Sequence, residues 1–215
     1  MNTRNNPKIA ALEAGDASTR LNAALAIGSR PEPELLEVLV ARCAIEPDFY
    51  VRDMLTWALT RYPSQITVPL LIAELGSPVA QARSQALHTL SKIRDATAWP
   101  AIRPSLLCDT DNEVARSAWR AAVVLVPEGG RNALAAELAS QLGRGDRNMQ
   151  LSLSRALIAL GEHAVAPVLH EAMSSADAVV RTHAAATERL LRDPDAAFEL
   201  DVQEAIRVFV LSKER

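Results

Sequence analysis

Small and apolar residues return at helical spacing in short blocks along the whole chain. After Arg83, the residues Ala86, Leu87, Leu90 and Ile93 fall on one face, and after Gln150, Leu153, Ala156, Leu157 and Leu160 do the same. This is the period of an amphipathic α-helix. Each block is opened by a polar signature. D-A-S-T-R (Asp16–Arg20), D-F-Y-V-R (Asp48–Arg52), V-A-Q-A-R (Val79–Arg83), N-E-V-A-R (Asn112–Arg116), D-R-N-M-Q (Asp146–Gln150) and D-A-V-V-R (Asp177–Arg181) end at positions spaced by 32, 31, 33, 34 and 31 residues. Asp or Asn four residues before the Arg predicts a helix N-cap, whose side-chain oxygen accepts an otherwise orphaned backbone N–H. The third block lacks that residue, and Ser77 before Pro78 is its expected cap.

A second amphipathic segment precedes each block: N-P-K-I-A-A-L-E-A, P-E-L-L-E-V-L-V-A, I-T-V-P-L-L-I-A-E-L, A-W-P-A-I-R-P-S-L-L, R-N-A-L-A-A-E-L-A and A-V-A-P-V-L-H-E-A-M. Pro69, Pro100 and Pro167 each lie 17 residues after the aligned position of the preceding repeat, and a proline there bends the helix or marks its first turn. Gly and Pro punctuate the connections, at Gly28 to Pro33, Arg61 to Ser64, Pro127 to Gly130 and Gly161, so helices are expected to pair antiparallel through short turns. Ala196 to Ser212 reads as one further helix capping the last pair.

The pattern D-x-x-V-R-x-x-A on the second helix, with P-x-L-L on the first, resembles HEAT repeats, especially the short bacterial type also seen in phycobilin lyases. The resemblance covers nearly the whole chain. It implies an all-α fold, a right-handed α-α superhelix (α-solenoid) of about six helix pairs plus a C-terminal capping helix, in one domain spanning residues 1–215. In that family the helix bearing Asp and Arg lines the concave face, and the two side chains form a ladder between neighbouring repeats. Here the ladder would run through Asp16, Asp48, Arg52, Arg83, Asn112, Arg116, Asp146 and Arg181. It would weaken at the third and fifth repeats, where Val79 and Gln150 depart from the pattern.

Composition narrows the class. Hydrophobic residues make up 49% of the chain but aromatics only 4%, and the few glycines accompany no alternating β-branched runs. Alanine-rich helix contacts are expected, not strands. The formal net charge of −3 argues against duplex nucleic acid as the partner. Cys43 and Cys108 form neither a disulfide framework nor a zinc spacing. Residues 1–12 carry no apolar leader segment, and no run approaches the length of a membrane span, so a cytoplasmic setting is expected.

Helical periodicity places Asp53, Trp57 and Thr60, then Ser84, His88 and Ser91, then Ser117, Ala121 and Arg120 on the open side of the second helices. Leu151 and Arg155, and Thr182 and Arg189, follow. Asp53 and Trp57 are one turn apart, and His88 is the equivalent of Trp57 one repeat on; the group suits a cation or a flat ring. Arg61, Lys92, Arg120, Arg155 and Arg189 form a mildly basic strip. The expected partner-binding residues are therefore Asp53, Trp57, His88, Lys92, Arg120, Arg155 and Arg189.

Nucleophile, phosphate-loop and dinucleotide motifs are absent from the sequence. His163 and His170 are seven residues apart with no third ligand in view, so neither a metal nor a cofactor is expected. The reading is a non-catalytic scaffold or adaptor gripping an extended peptide or helix of a protein partner on its concave face. Two alternatives come from resemblance: a phycobilin-lyase-like protein handling a tetrapyrrole, and a HEAT-like alkylpurine DNA glycosylase, for which Trp57, Trp119, Asp53 and Arg155 supply the residue types.

Overall fold

The computed structural model describes residues 6–193; the helix expected over Ala196–Ser212 lies outside them. Among the described residues there are helices and turns but no strand, and no helix is long and apolar enough to cross a membrane. Six helix pairs follow one another, as the repeats predict. They fall into two compact units, Met1–Pro127 and Glu128–Arg215.

In the first unit the pairs are α1 (Pro7–Leu12) with α2 (Ala17–Ser29), α3 (Leu36–Cys43) with α4 (Phe49–Leu59), and α5 (Ser64–Glu74) with α6 (Ala80–Ile93). The fourth is a broken first segment with α8 (Asn112–Leu125). Second helices stack in series, α2 on α4, α4 on α6 and α6 on α8, while α3 packs on α5. Buried alanines line these contacts, among them Ala24, Ala58, Ala82, Ala86, Ala115 and Ala118, and their small side chains let helix axes approach closely. Gly28 takes this furthest. A Cβ at that position would stand 2.4 Å from Trp57 Cζ3 and 2.8 Å from the Ala58 Cα, so α2 can lie against α4 only with glycine there.

The first segment of the fourth pair differs from the single helix expected. A 3-10 turn over Ala96–Ala101 contains Pro100, and a one-turn α7 (Pro104–Leu107) begins at Pro104. Arg103, immediately before that proline, is extended (φ −83°, ψ 155°), because the proline ring excludes the helical region for the preceding residue. Pro69, by contrast, is accommodated inside α5. Trp119 of α8 is fully buried against this segment, with Nε1 donating to the Leu107 carbonyl at 2.8 Å.

The caps are mostly those expected. Asp16 accepts from the Thr19 N–H, and Asp48 from Tyr50 and Val51. Two differ. Val79 is the N-cap residue of α6 and offers no side-chain bond, while Ser77 accepts only from the Val79 N–H, ahead of the helix. Helix α8 is capped by Asp111, not Asn112.

The recurring Arg does not form an Asp–Arg ladder; the capping aspartates are occupied by their own helix N-termini. The Arg reaches back to the loop before its own helix. Arg20 Nη1 donates to the carbonyls of Ala14 and Gly15, Arg52 Nη1 to those of Glu46 and Pro47, and Arg83 Nη1 to that of Ser77. Links between repeats use a different acid, 26 residues downstream. Arg20 makes a bidentate pair with Glu46 at 2.8 Å on each arm, and Arg83 a bidentate pair with Asp109 at 3.0 and 3.1 Å. The third repeat is thus strongly tied. Where Arg52 has Pro78 at that spacing, Gln81 substitutes, donating to the carbonyls of Cys43 and Glu46.

Glu46 is fully buried and also takes Arg42 (Nη2 to Oε2, 2.7 Å) and the Asp48 N–H. Burial alone would raise its carboxyl pKa. The hydrogen bonds from Arg20, the Asp48 backbone and Arg42 outweigh that and hold it down at about 2.

The second unit contains α9 (Arg131–Ala139) with α10 (Arg147–Ala159) and α11 (Glu162–Ala172) with α12 (Ala178–Arg192). Arg181 clamps the carbonyls of Ser175 and Ala176, and Gln150 in the fifth repeat makes only long contacts of 3.4 and 3.5 Å to Gly145 and Gly143. The inter-repeat tie is a buried imidazole. His183 Nδ1 accepts from the Gly143 N–H (φ +85° at that glycine), so the proton sits on Nε2, which faces the Gln150 carbonyl at 3.0 Å and Ser154 Oγ at 3.1 Å. Burial lowers its pKa, with the Gln150 carbonyl opposing.

Two outcomes follow from this packing. Gly28→Ala is expected to destabilise the first unit by about 2 kcal/mol through overpacking of α2 on α4, read as a lower denaturant midpoint and a shifted Trp emission; an unchanged midpoint would refute the close approach. Glu46→Gln removes a carboxylate whose folded pKa lies below its usual 4.5. Folded chains therefore bind fewer protons at that site, so its stabilisation is complete above about pH 4.5 and is lost as the pH falls towards 2. The variant should lose about 3 kcal/mol at neutral pH, and its stability should fall less steeply than the parent's on acidification.

Candidate functional site

Counting from each N-cap, the clamping residue is the fourth: Arg20, Arg52, Arg83, Gln150 and Arg181. In α8 the fourth residue after Asp111 is Ala115, so Arg116 stands one position later than its counterparts. One residue turns a helical side chain by about 100°. Arg116 therefore leaves the loop carbonyls, and Nη1 pairs with Glu113 at 2.8 Å. The fifth and ninth positions after the cap are then Asp53 and Trp57 on α4, Ser84 and His88 on α6, and Arg116 and Arg120 on α8. Ser84, Ser117 and Ala121, expected on the open side, are buried.

All of these positions but Trp57 border a cleft of about 300 Å³ within the first unit, lined by Phe49, Arg52, Asp53, Ser84, Gln85, His88, Glu113, Arg116, Ser117 and Arg120. The structure thus brings together Asp53, His88 and Arg120 of the expected set. It adds Arg52 and Arg116, which sequence alignment had assigned to packing. The one-residue shift of the cap to Asp111 was the available signal for Arg116.

The cleft's field is positive around His88 and Arg120. His88 is half-buried, and burial, then Arg120, then Lys92 lower its pKa, with Asp53 opposing. Partial desolvation and Arg116 lower the pKa of Arg120, with Glu113 opposing. At neutral pH His88 is an uncharged donor and acceptor among fixed charges. Arg120 Nη2 donates to Ser117 Oγ at 3.1 Å, and Ser84 Oγ donates to the Gln81 carbonyl.

The remaining expected residues lie outside this lining. Trp57, 37% exposed, covers Gly28, with the Arg61 guanidinium 5.9 Å from its ring centroid. Lys92 is exposed in the last turn of α6. Arg155 and Arg189 are exposed on α10 and α12 of the second unit. Trp119 is a core residue, so it cannot serve as an exposed aromatic. Among the described residues no group of three His, Cys, Asp or Glu side chains converges as a metal site. Burial pushes the Cys43 thiol up to about 12, leaving it inert.

A family model for HEAT repeats matches residues 42–123, which include α4, α6 and most of α8. That segment is built of HEAT repeats. Solved structures similar to it include two engineered proteins. One is 21% identical, with 86% of this chain and 95% of that one covered and a TM-score of 0.49; the other is 17% identical, with 89% and 99% covered and a TM-score of 0.49. The CpcE–CpcF complex of phycocyanin lyase from Nostoc sp. PCC7120 is 22% identical over 86% of this chain and 77% of that chain, with a TM-score of 0.49. None of these likenesses bears on what the chain binds. No curated protein matches the sequence significantly.

The cleft's electrostatics are directly measurable. His88 should titrate below the ordinary 6.5 in an NMR pH series. Asp53→Asn should lower its pKa further, because a carboxylate that favours the imidazolium is gone, whereas Arg120→Gln should raise it. Identical titration curves in all three proteins would disprove the juxtaposition.

Proposed function

We propose that this HEAT-repeat protein is a non-catalytic scaffold or adaptor that docks a protein partner across the second helices of its first unit. The observation carrying this reading is the cleft that gathers Asp53, His88 and Arg120 from three successive repeats. One side chain per repeat on parallel-stacked helices suits an extended segment or helix laid across them, since each repeat adds its own contact. The mixture of three guanidiniums with two carboxylates and a neutral imidazole lacks a nucleophile paired with a base, and hence the constellation that acyl or phosphoryl transfer requires. A reducing, cytoplasmic setting belongs to the same reading, as Cys43 and Cys108 form no disulfide.

The experiment is affinity capture from source cells with quantitative mass spectrometry, comparing the parent with His88→Ala/Arg120→Ala. A partner enriched on the parent should be lost from the double variant while the helical circular dichroism is unchanged. Equal recovery on both would overturn this docking face.

A further inference from the structure

The charge in the cleft is informative about the class of partner, given the docking face proposed above. Arg116 is the side chain to start from. It uses Nη1 on Glu113, a partner exposed to solvent, while its Nε is shut away from solvent and has no hydrogen-bond acceptor. A guanidinium N–H in that condition is costly to leave unmade, and an exposed Arg–Glu pair is cheap to exchange. An incoming carboxylate can take the solvent-facing Nη end of Arg116 in place of Glu113, keeping a charge-assisted hydrogen bond there.

Arg116 stands close enough to Arg120 to disfavour its charge, and His88 feels Arg120 and Lys92 in the same sense. Like charges held together this way are relieved by a bound anion. Opposing them, Asp53 lines the same cleft and favours the charged form of His88. Phe49 lines the same cleft, is 64% exposed, and packs edge-on against Tyr50, itself 71% exposed, with ring centroids 5.6 Å apart. An apolar surface thus adjoins the cationic one.

We propose that the cleft receives the carboxylate of an acidic partner segment on Arg116 and Arg120, with an apolar side chain of the same segment against Phe49. Asp53 acts on this site as a charge filter that weakens acidic segments while rejecting none outright.

The full chain is titrated by fluorescence anisotropy with a labelled peptide alternating Glu and Phe, and with its Gln-for-Glu counterpart. The acidic peptide should bind roughly tenfold tighter, and the preference should shrink with added salt. Arg116→Gln and Arg120→Gln should each remove most of that preference. Asp53→Asn should strengthen acidic-peptide binding by about threefold, a change that a purely structural role for Asp53 would not produce. Phe49→Ala should weaken both peptides alike. Equal affinity for the two peptides overturns the inference, as does displacement by inorganic phosphate at concentrations matching the peptide's own, which would make the site one for small anions. If capture of the cellular partner depends on His88 and Arg120 yet the acidic peptide shows no preference, the acidic class fails and the docking face stands. If capture is independent of them, the docking face fails first.

Discussion

A guanidinium that reaches back five and six residues to the carbonyls of its own preceding loop is the interaction on which the array depends. The loop between the two helices of a pair carries carbonyls that no helix satisfies, and leaving them bare where the next repeat packs would be costly. Arg20, Arg52, Arg83 and Arg181 each fill that need with one nitrogen. The loop is thereby held in a fixed shape, and before α4 the clamped loop also holds its acid, Glu46, in place. Glu46 and Asp109 each accept the backbone N–H two residues on while presenting both oxygens to the Arg of the previous repeat. Loop clamp and repeat-to-repeat bond are one unit, built from side chains 26 residues apart.

Clamping also decides which side chains are left for other purposes. A residue committed to loop carbonyls cannot face a partner, but its neighbour one position later can. The fifth and ninth positions after each cap therefore form a row, and in the first unit the row reads Asp53 and Trp57, Ser84 and His88, Arg116 and Arg120. Helix α8 donates its Arg to this row instead of to its loop, because Asp111 starts the helix one residue early. The loss at the loop is modest, since Trp119 Nε1 anchors α8 to the Leu107 carbonyl instead. The gain is a third guanidinium in a cleft on a chain that is acidic as a whole.

In the second unit, the fifth repeat meets the same need without a guanidinium. Gln150 replaces Arg and bonds its loop only weakly, and the tie across repeats passes through His183 to the Gly143 N–H and the Gln150 carbonyl. A neutral imidazole needs no counter-ion, which suits a buried contact between helices rich in small residues. The tautomer that makes both bonds carries its proton on Nε2, so this joint is tied to the uncharged form of the ring.

Much of this was legible along the chain because a helical repeat writes itself in local terms. Hydrophobic spacing, capping aspartates and proline positions are properties of neighbours in sequence, and they led to six helix pairs and to one side of the second helices carrying Asp53, His88 and Arg120. Acceptors were not legible. Glu46 and Asp109 lie in loops with no periodicity to mark them, and the Asp–Arg ladder implied by resemblance gave way to caps and loop clamps because each Asp already had a backbone donor within reach. Trp57 shows the same limit from the other side. Its spacing put it on the open face correctly, but only the approach of α2 at Gly28 decided that its ring would cover a neighbouring helix and not the cleft. By itself the sequence determined the helices, their pairing and their faces, since these follow from short-range periodicity. The tertiary structure alone decided which charges meet, because that depends on a one-residue change of phase at Asp111 that turns Arg116 from the loop into the cleft.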